Sequence, residues 1–172
     1  MKICINAGHC LGVDSGAVGQ RGTHEAKITA IIASHVKRYL EDKDYEVVSI
    51  SDKSLAKVCQ TSNKNNCNYF ISIHCNAATN RNARGTETFY YKGSSKGKKL
   101  AQEINDEIVR TLKTTDRGIK ETTGFYVVKN TNCPAVLVET AFISNLEDEK
   151  LLIEKANVFA QAIVRGIVKG VI

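Results

Sequence analysis

The sequence predicts an α/β fold in which a sheet is covered by helices on both of its faces. Short apolar runs alternate along the chain with segments whose apolar residues recur at helical spacing. The run at residues 135–138 opens after Pro134 and ends abruptly at Glu139, a pattern typical of a buried parallel strand. The chain has 172 residues, of which 42% are apolar, and this predicts one domain at residues 1–172.

Five other segments are predicted to be strands because they are short, rich in β-branched or aromatic residues, and bounded by polar turns. They lie at residues 3–5, 45–50, 69–73, 86–91 and 125–128. The segment at 86–91 alternates in polarity and is assigned to an edge of the sheet. Residues 114–124 are predicted to form a polar loop that turns at Arg117 and Gly118.

Four helices are predicted from apolar residues at helical spacing, at residues 24–40, 52–64 and 96–111 and from Asn145 onwards. Thr23 is expected to cap the first helix. Glu25 lies in its first turn, where the helix dipole favours a carboxylate. Asn145 and Asp148 resemble a capping box at the start of the last helix.

The formal net charge of +6 indicates either an anionic partner or simply a solvated basic surface. Nucleic acid and an acidic polymer such as the cell wall both fit the first interpretation. No nucleic-acid-binding motif and no basic-aromatic alternation is present, so no nucleic-acid partner is predicted. The oligomeric state is not predicted.

The six cysteines include no C-x-x-C pair, and a chain of this length can build a core without disulfides. Buried or unreactive thiols are therefore expected. Neither a signal peptide nor a membrane-spanning segment is predicted. The protein is expected to be made in the cytoplasm and to reach any extracellular target after release or as part of a longer protein.

Three of the predicted strands end at residues that can do chemistry, namely His9, His74 and Glu139. In open α/β sheets, functional groups collect outside the carboxyl ends of the strands. Two imidazoles and a carboxylate at one edge suit a metal-assisted hydrolase. His24 and His35 lie within the first predicted helix and are expected to be on the surface.

Zinc binds imidazole nitrogen and carboxylate oxygen, and a catalytic site keeps one coordination position for water. His9, His74 and Glu25 would supply three ligands and leave that position open. Cys10 and Cys75 each follow a proposed histidine ligand and could instead close a structural thiolate site. We favour the interpretation that these two cysteines are small residues lining the site.

Glu139 has three possible roles on sequence grounds: a metal ligand, a general base, or a polar end to a strand. A glutamate that follows four apolar residues is costly to bury without a partner. As a general base it would take a proton from the attacking water and pass it to the leaving amine.

Besides Glu25, several motifs lie in order along the chain, at residues 6–9 (NAGH), 14–19 (DSGAVG), 70–77 (FISIHCNA), 85–90 (GTETFY), 125–128 (FYVV), 134–139 (PAVLVE) and 142–145 (FISN). Taken together, they resemble the zinc-dependent N-acetylmuramoyl-L-alanine amidases of the Amidase_3 type, which occur in bacterial cell-wall hydrolases and phage endolysins. The resemblance runs almost from end to end of the chain.

The resemblance implies one Zn²⁺ bound by His9, Glu25 and His74, with Glu139 as the catalytic glutamate. It implies a three-layer αβα sandwich around a mostly parallel sheet of about six strands. The reaction it implies is hydrolysis of the amide between N-acetylmuramic acid and L-alanine in peptidoglycan. Because no membrane-spanning segment is predicted, no insertion into a membrane is expected.

The sequence departs from the family where Asn6, Ala7 and Cys10 replace residues of the usual Asp-Pro-Gly-His-Gly motif. No proposed ligand is lost, so activity is expected. Two alternatives are a catalytically silent domain that binds peptidoglycan and a zinc peptidase that acts on another peptide. The presence of Glu139 argues against the silent domain, because a binding domain has no use for a general base.

Overall fold

The computed structural model describes all 172 residues, which form one six-stranded sheet and five helices. The elements in chain order are β1 (Lys2–Ala7), α1 (Glu25–Glu41), β2 (Glu46–Ile50), α2 (Leu55–Lys64), β3 (Tyr69–Asn76), β4 (Thr86–Tyr91), α3 (Ser95–Leu112), β5 (Asp116–Thr122), α4 (Tyr126–Asn130), β6 (Ala135–Phe142) and α5 (Leu146–Gly170). None of the helices is both long and apolar enough to cross a membrane.

The strand order across the sheet is β2-β1-β3-β6-β4-β5, and every neighbouring pair is parallel except β4 with β6. The predicted mostly parallel sheet is therefore confirmed. Because β4 and β5 run opposite to the others, their amino ends lie beside the carboxyl ends of β1, β3 and β6. We call this combined boundary the C-terminal edge of the sheet.

The two faces of the sheet are covered unequally. Helices α1, α3 and α5 pack on one face around 29 buried apolar residues, whereas α2 and the short α4 cover only nine on the other face. The inward stripe of α5 includes Leu152, Phe159, Ile163 and Ile167, which are fully buried. The thinner layer leaves part of the second face open at the C-terminal edge.

Two segment predictions are wrong. Residues predicted as a polar loop contain the edge strand β5, and the predicted strand at 125–128 lies in the helical turn α4. Strand β5 carries a single apolar residue, Ile119, so it has no alternation to detect. In α4 the β-favouring residues Val127 and Val128 are nevertheless buried in the smaller apolar cluster, and this packing overrides their local preference.

Other differences concern ends and edges. Strand β4 lies between β6 and β5 and is not an edge strand. Helix α1 begins after His24, and no side chain caps it, so Thr23 is not the cap. His35, predicted to be on the surface, is partly buried.

The start of α5 is held by two side chains with different partners. The Asn145 side chain accepts hydrogen bonds from the backbone N–H groups of Glu147 and Asp148, as an N-cap does. The Asp148 carboxylate does not complete a capping box. It accepts instead from the N–H groups of Gly85 and Phe142, and so joins α5 to β4 and β6 at the C-terminal edge.

Candidate metal and catalytic site

Three side chains from separate elements meet at the C-terminal edge. His9 follows β1, Glu25 is the first residue of α1, and His74 lies on β3. Glu25 Oε2 is 3.1 Å from His9 Nε2, and Glu25 Oε1 is 3.0 Å from His74 Nδ1. One ligand atom from each residue lies within 4.8 Å of the others, which is a spacing that one metal ion can bridge. The structure thus brings together the three residues that the sequence singled out as ligands.

Two glycines make room for this close approach. A side chain at Gly8 would overlap the imidazole ring of His74. Gly16 has φ +62°, and a Cβ there would lie 2.6 Å from His9 Cδ2 and 2.7 Å from Glu25 Oε2. The glycine-rich loop after β1 is therefore fitted tightly against the three side chains.

Further hydrogen bonds fix the orientation of the cluster. Asp14 Oδ2 lies 2.8 Å from His9 Nδ1. The other ring nitrogen of His9, Nε2, faces Glu25 and has no other protein partner. The Glu25 carboxylate accepts backbone N–H bonds from Ala17 and Cys75, each at 3.0 Å. Sequence reasoning missed the role of Asp14. Its spacing of five residues from His9 within a loop gave no periodic signal.

The electrostatics keep Glu25 anionic. Burial raises its pKa, but hydrogen bonds from His74 and His9 outweigh burial and hold the pKa well below its ordinary value. The hydrogen bond to Glu25 raises the pKa of His9 to about 9, with Asp14 acting in the same direction against the effect of burial. An ionised carboxylate between two imidazoles is a donor set that suits a divalent cation.

Glu139 lies within β6, three residues before its end, and pairs in register with His74 on β3. The residue is partly buried, and its Oε2 atom is fully buried with no hydrogen-bond partner. Burial, the largest influence, raises the pKa of Glu139 to about 7. A carboxyl group with that pKa, beside a candidate metal site, can both accept and release a proton near neutral pH.

The cysteines next to the proposed ligands do not join the cluster. The Cys75 side chain is buried in the main core, where its Sγ lies 3.5 Å from Thr140 Oγ1, so the prediction that it lines the site is wrong. Burial raises the pKa of Cys75 well above its ordinary value, which keeps the thiol protonated. Cys10 is partly buried and pairs through its backbone with Asp14.

A cavity of about 240 Å³ lies beside the two histidines, on the face of the sheet covered by α2. It is lined by Asn6, His9, Asp14, Asp52, Lys53, Leu55, Val58 and His74. Asn6 is held in place because its Oδ1 accepts a 2.7 Å hydrogen bond from the Ser72 hydroxyl. A ligand can therefore approach the histidines from this side.

A second polar cluster, which sequence reasoning missed, lies on the other side of Glu139. Glu87 on β4 pairs in register with Glu139, and its buried carboxylate accepts hydrogen bonds from Asn76, Arg117 and Lys120. The alternation of β4 places Glu87 on the same face as Phe89. Its closeness to Glu139 could not be predicted without knowing that β4 is antiparallel to β6.

Comparison with known proteins agrees with this architecture. The chain matches the Amidase_3 family, N-acetylmuramoyl-L-alanine amidase, over residues 3–169. It is 37% identical over 157 residues to N-acetylmuramoyl-L-alanine amidase LytC of Bacillus subtilis (strain 168), a match that covers 87% of this chain and 31% of LytC. The chain therefore spans about a third of the length of that relative.

Two further relatives match over almost the whole chain. The germination-specific N-acetylmuramoyl-L-alanine amidase of Bacillus subtilis (strain 168) is 29% identical over 188 residues, which cover 99% of this chain and 78% of that protein. The structure of N-acetylmuramoyl-L-alanine amidase AmiC2 of Nostoc punctiforme superposes with a TM-score of 0.92 at 31% identity, covering 99% of this chain and 97% of that one. The chain belongs to the N-acetylmuramoyl-L-alanine amidases of the Amidase_3 family.

Proposed function

We propose that this chain hydrolyses the amide bond between N-acetylmuramic acid and L-alanine in peptidoglycan, with one zinc ion held by His9, Glu25 and His74. The observation that carries the proposal is the convergence of these three ligand atoms within 4.8 Å. One of the three residues, His74, pairs in register with Glu139 on the neighbouring strand. Membership of the amidase family supplies the reaction class.

The residues present fit a zinc ion by their chemistry. Two imidazole nitrogens and one carboxylate oxygen are the donors that catalytic zinc sites use, and three protein ligands leave a coordination position for water or substrate. When bound, zinc would polarise the scissile carbonyl and lower the pKa of the attacking water. Asp14 would hold His9 in the orientation that presents Nε2 to the ion.

Glu139 is proposed to move the proton. It takes a proton from water as the water oxygen forms a bond to the carbonyl carbon, and it then returns the proton to the amine nitrogen as the carbon–nitrogen bond breaks. The products are the carboxylate of the lactyl group and the free amino group of L-alanine. The raised pKa of Glu139 suits both transfers, because the same group must act as base and then as acid.

Mass spectrometry of the products from purified peptidoglycan tests this proposal. The zinc-loaded protein should release intact stem peptides that begin with L-alanine and leave muramic acid without peptide. The Glu139→Gln variant, which removes the proton carrier, should be slower by about 10²- to 10⁴-fold. Cleavage within the peptide would indicate the peptidase alternative, and binding to peptidoglycan without any cleavage would indicate the silent domain.

A further inference from the structure

We propose that Arg117 and Lys120, which converge on the Glu87 carboxylate, form an anion-binding subsite for a carboxylate of the stem peptide. The inference rests on the proposed function and extends it to the peptide side of the scissile bond. It assigns to these two cations a role in substrate recognition in addition to the neutralisation of Glu87.

The subsite lies in line with the catalytic residues. His74, Glu139 and Glu87 are in-register neighbours on β3, β6 and β4, so their side chains project from the same face of the sheet. Arg117 and Lys120 follow on β5, the next strand. The order across the sheet therefore runs from the candidate metal ligand, through the proposed proton carrier, to the two cations.

A local irregularity in β5 brings both cations to one oxygen. Residues three apart in a regular strand point to opposite faces. The register between β4 and β5 shifts opposite Glu87, where Gly118 has φ +74°. This β-bulge lets Arg117 Nε, at 2.8 Å, and Lys120 Nζ both contact Glu87 Oε2.

The charges in this cluster are not balanced by Glu87 alone. One buried carboxylate faces two cations, and Asn76 donates to its other oxygen at 2.7 Å. Arg117 uses only Nε, so both of its terminal nitrogens are free of protein hydrogen-bond partners. The side chains of Arg117 and Lys120 are 34% and 41% exposed, so a ligand in solution can reach them.

Both cations are also held in place by aromatic rings. The Arg117 guanidinium carbon lies 4.8 Å from the centre of the Phe142 ring, and Lys120 Nζ lies 5.6 Å from that of Phe89. The Phe89 ring is itself packed edge-on against Phe125. A cation pair that is ordered before the ligand arrives loses little conformational entropy on binding.

The position favours the peptide over the sugar. Glu139 must protonate the leaving amine, so the amine lies near Glu139 and the peptide continues beyond it towards Glu87. Strand β5 is two strand spacings, roughly 10 Å, from β6. An extended peptide covers about 3.3–3.6 Å per residue, so the second or third residue after the scissile bond reaches the subsite.

Binding to the Glu139→Gln protein, measured by titration calorimetry, tests the subsite without requiring turnover. The ligands are muramoyl-L-alanyl peptides that differ only in whether the side-chain or α-carboxyl group of the second or third residue is free or amidated. We expect one free carboxylate to tighten binding about tenfold, as one charge-assisted hydrogen bond would. Adding Arg117→Gln or Lys120→Gln should remove that preference and leave the affinity for the amidated ligand unchanged.

Arg165→Gln is the matched control, because Arg165 also donates to a buried glutamate, Glu107, but lies in α5 away from the site. It should retain the preference. Equal loss of affinity for both ligands in the Arg117 and Lys120 variants would overturn the proposal. Equal affinity of the Glu139→Gln protein for the free and the amidated ligand would overturn it as well. Equal competition by an acidic wall polymer against the amidated ligand and the ligand with the free carboxylate would also overturn the proposal.

Cleavage of the same ligands by the protein with Glu139 intact separates the two proposals. If the preference is present in binding and no ligand is cleaved, the subsite stands and the amidase proposal fails. If cleavage occurs at the proposed amide and all ligands bind with the same affinity, the amidase proposal stands and the subsite proposal fails.

Discussion

At the residue scale, the site depends on one carboxylate placed between two imidazoles. Glu25 contacts His9 through one carboxylate oxygen and His74 through the other. The backbone N–H groups of Ala17 and Cys75 donate to the same carboxylate and fix its orientation. Residue type, the strand-end positions of the two histidines and the position of Glu25 in the first turn of a helix were enough to select these three residues from the sequence. The contribution of Asp14 and the fit of Gly16 could not be predicted, because both depend on the path of the loop.

The fit of Gly16 leads to a testable prediction. Gly16→Ala should weaken zinc affinity by about 10- to 100-fold, because the added methyl group would displace His9 and Glu25. Gly12→Ala is the matched control, since Gly12 also has a positive φ, +80°, but an added Cβ meets nothing within 4 Å. Competition with a chelator measures both affinities. Equal loss in the two variants would show that backbone strain, and not contact with the ligands, is responsible.

At the element scale, α3 and α5 are joined by a buried carboxylate with three cationic partners. Glu107 Oε2 accepts from Arg110 at 2.7 Å and Arg165 at 2.9 Å, and Oε1 accepts from Lys169 at 2.7 Å. Burial raises the pKa of Glu107, but these hydrogen bonds outweigh it and lower the pKa from its ordinary value of 4.5 to about 2.

This shift predicts a pH dependence of stability. Because the pKa of Glu107 is lower in the folded state, its stabilisation is complete above pH 4.5 and is lost as the pH falls towards 2. Glu107→Gln should therefore lower the free energy of unfolding by about 1–2 kcal/mol near neutral pH, and by progressively less in acid. Denaturant unfolding at several pH values measures this difference.

The control for that experiment is Glu103→Gln, a change at a partly exposed residue of the same helix that makes none of the ion pairs described. It should have little effect at any pH. A destabilisation by Glu107→Gln that stays constant from neutral to acidic pH would contradict the assigned ion pairs.

The elements also show where sequence prediction stops. The four long helices and the five strands with apolar or aromatic patterns were predicted, because burial imposes a period on the sequence. Strand β5 was not predicted, because it is an edge strand whose charged residues Arg117 and Lys120 contact Glu87. Its pairing is a tertiary effect, and so is the helical turn of α4, whose Val127 and Val128 pack in the smaller apolar cluster.

At the scale of the whole molecule, the candidate site lies at the C-terminal edge of the sheet, on the face where α2 and α4 form the thinner layer. Residues 9, 25, 74 and 139 are far apart in the chain and meet only when β1, β3 and β6 lie side by side. The sequence predicted that strand ends would share an edge. It could not predict that β4 and β5 run antiparallel to the other strands and so extend the line of polar residues from Glu139 to Arg117.

The most direct test of the account is the zinc content of three purified proteins by elemental analysis: the unmodified chain, His74→Ala and Glu139→Gln. We expect about one zinc ion per chain in the unmodified protein and in Glu139→Gln, and almost none in His74→Ala, because only that change removes a ligand. Full zinc content in His74→Ala would place the metal elsewhere. Loss of zinc from Glu139→Gln would make Glu139 a ligand and contradict its role as the proton carrier.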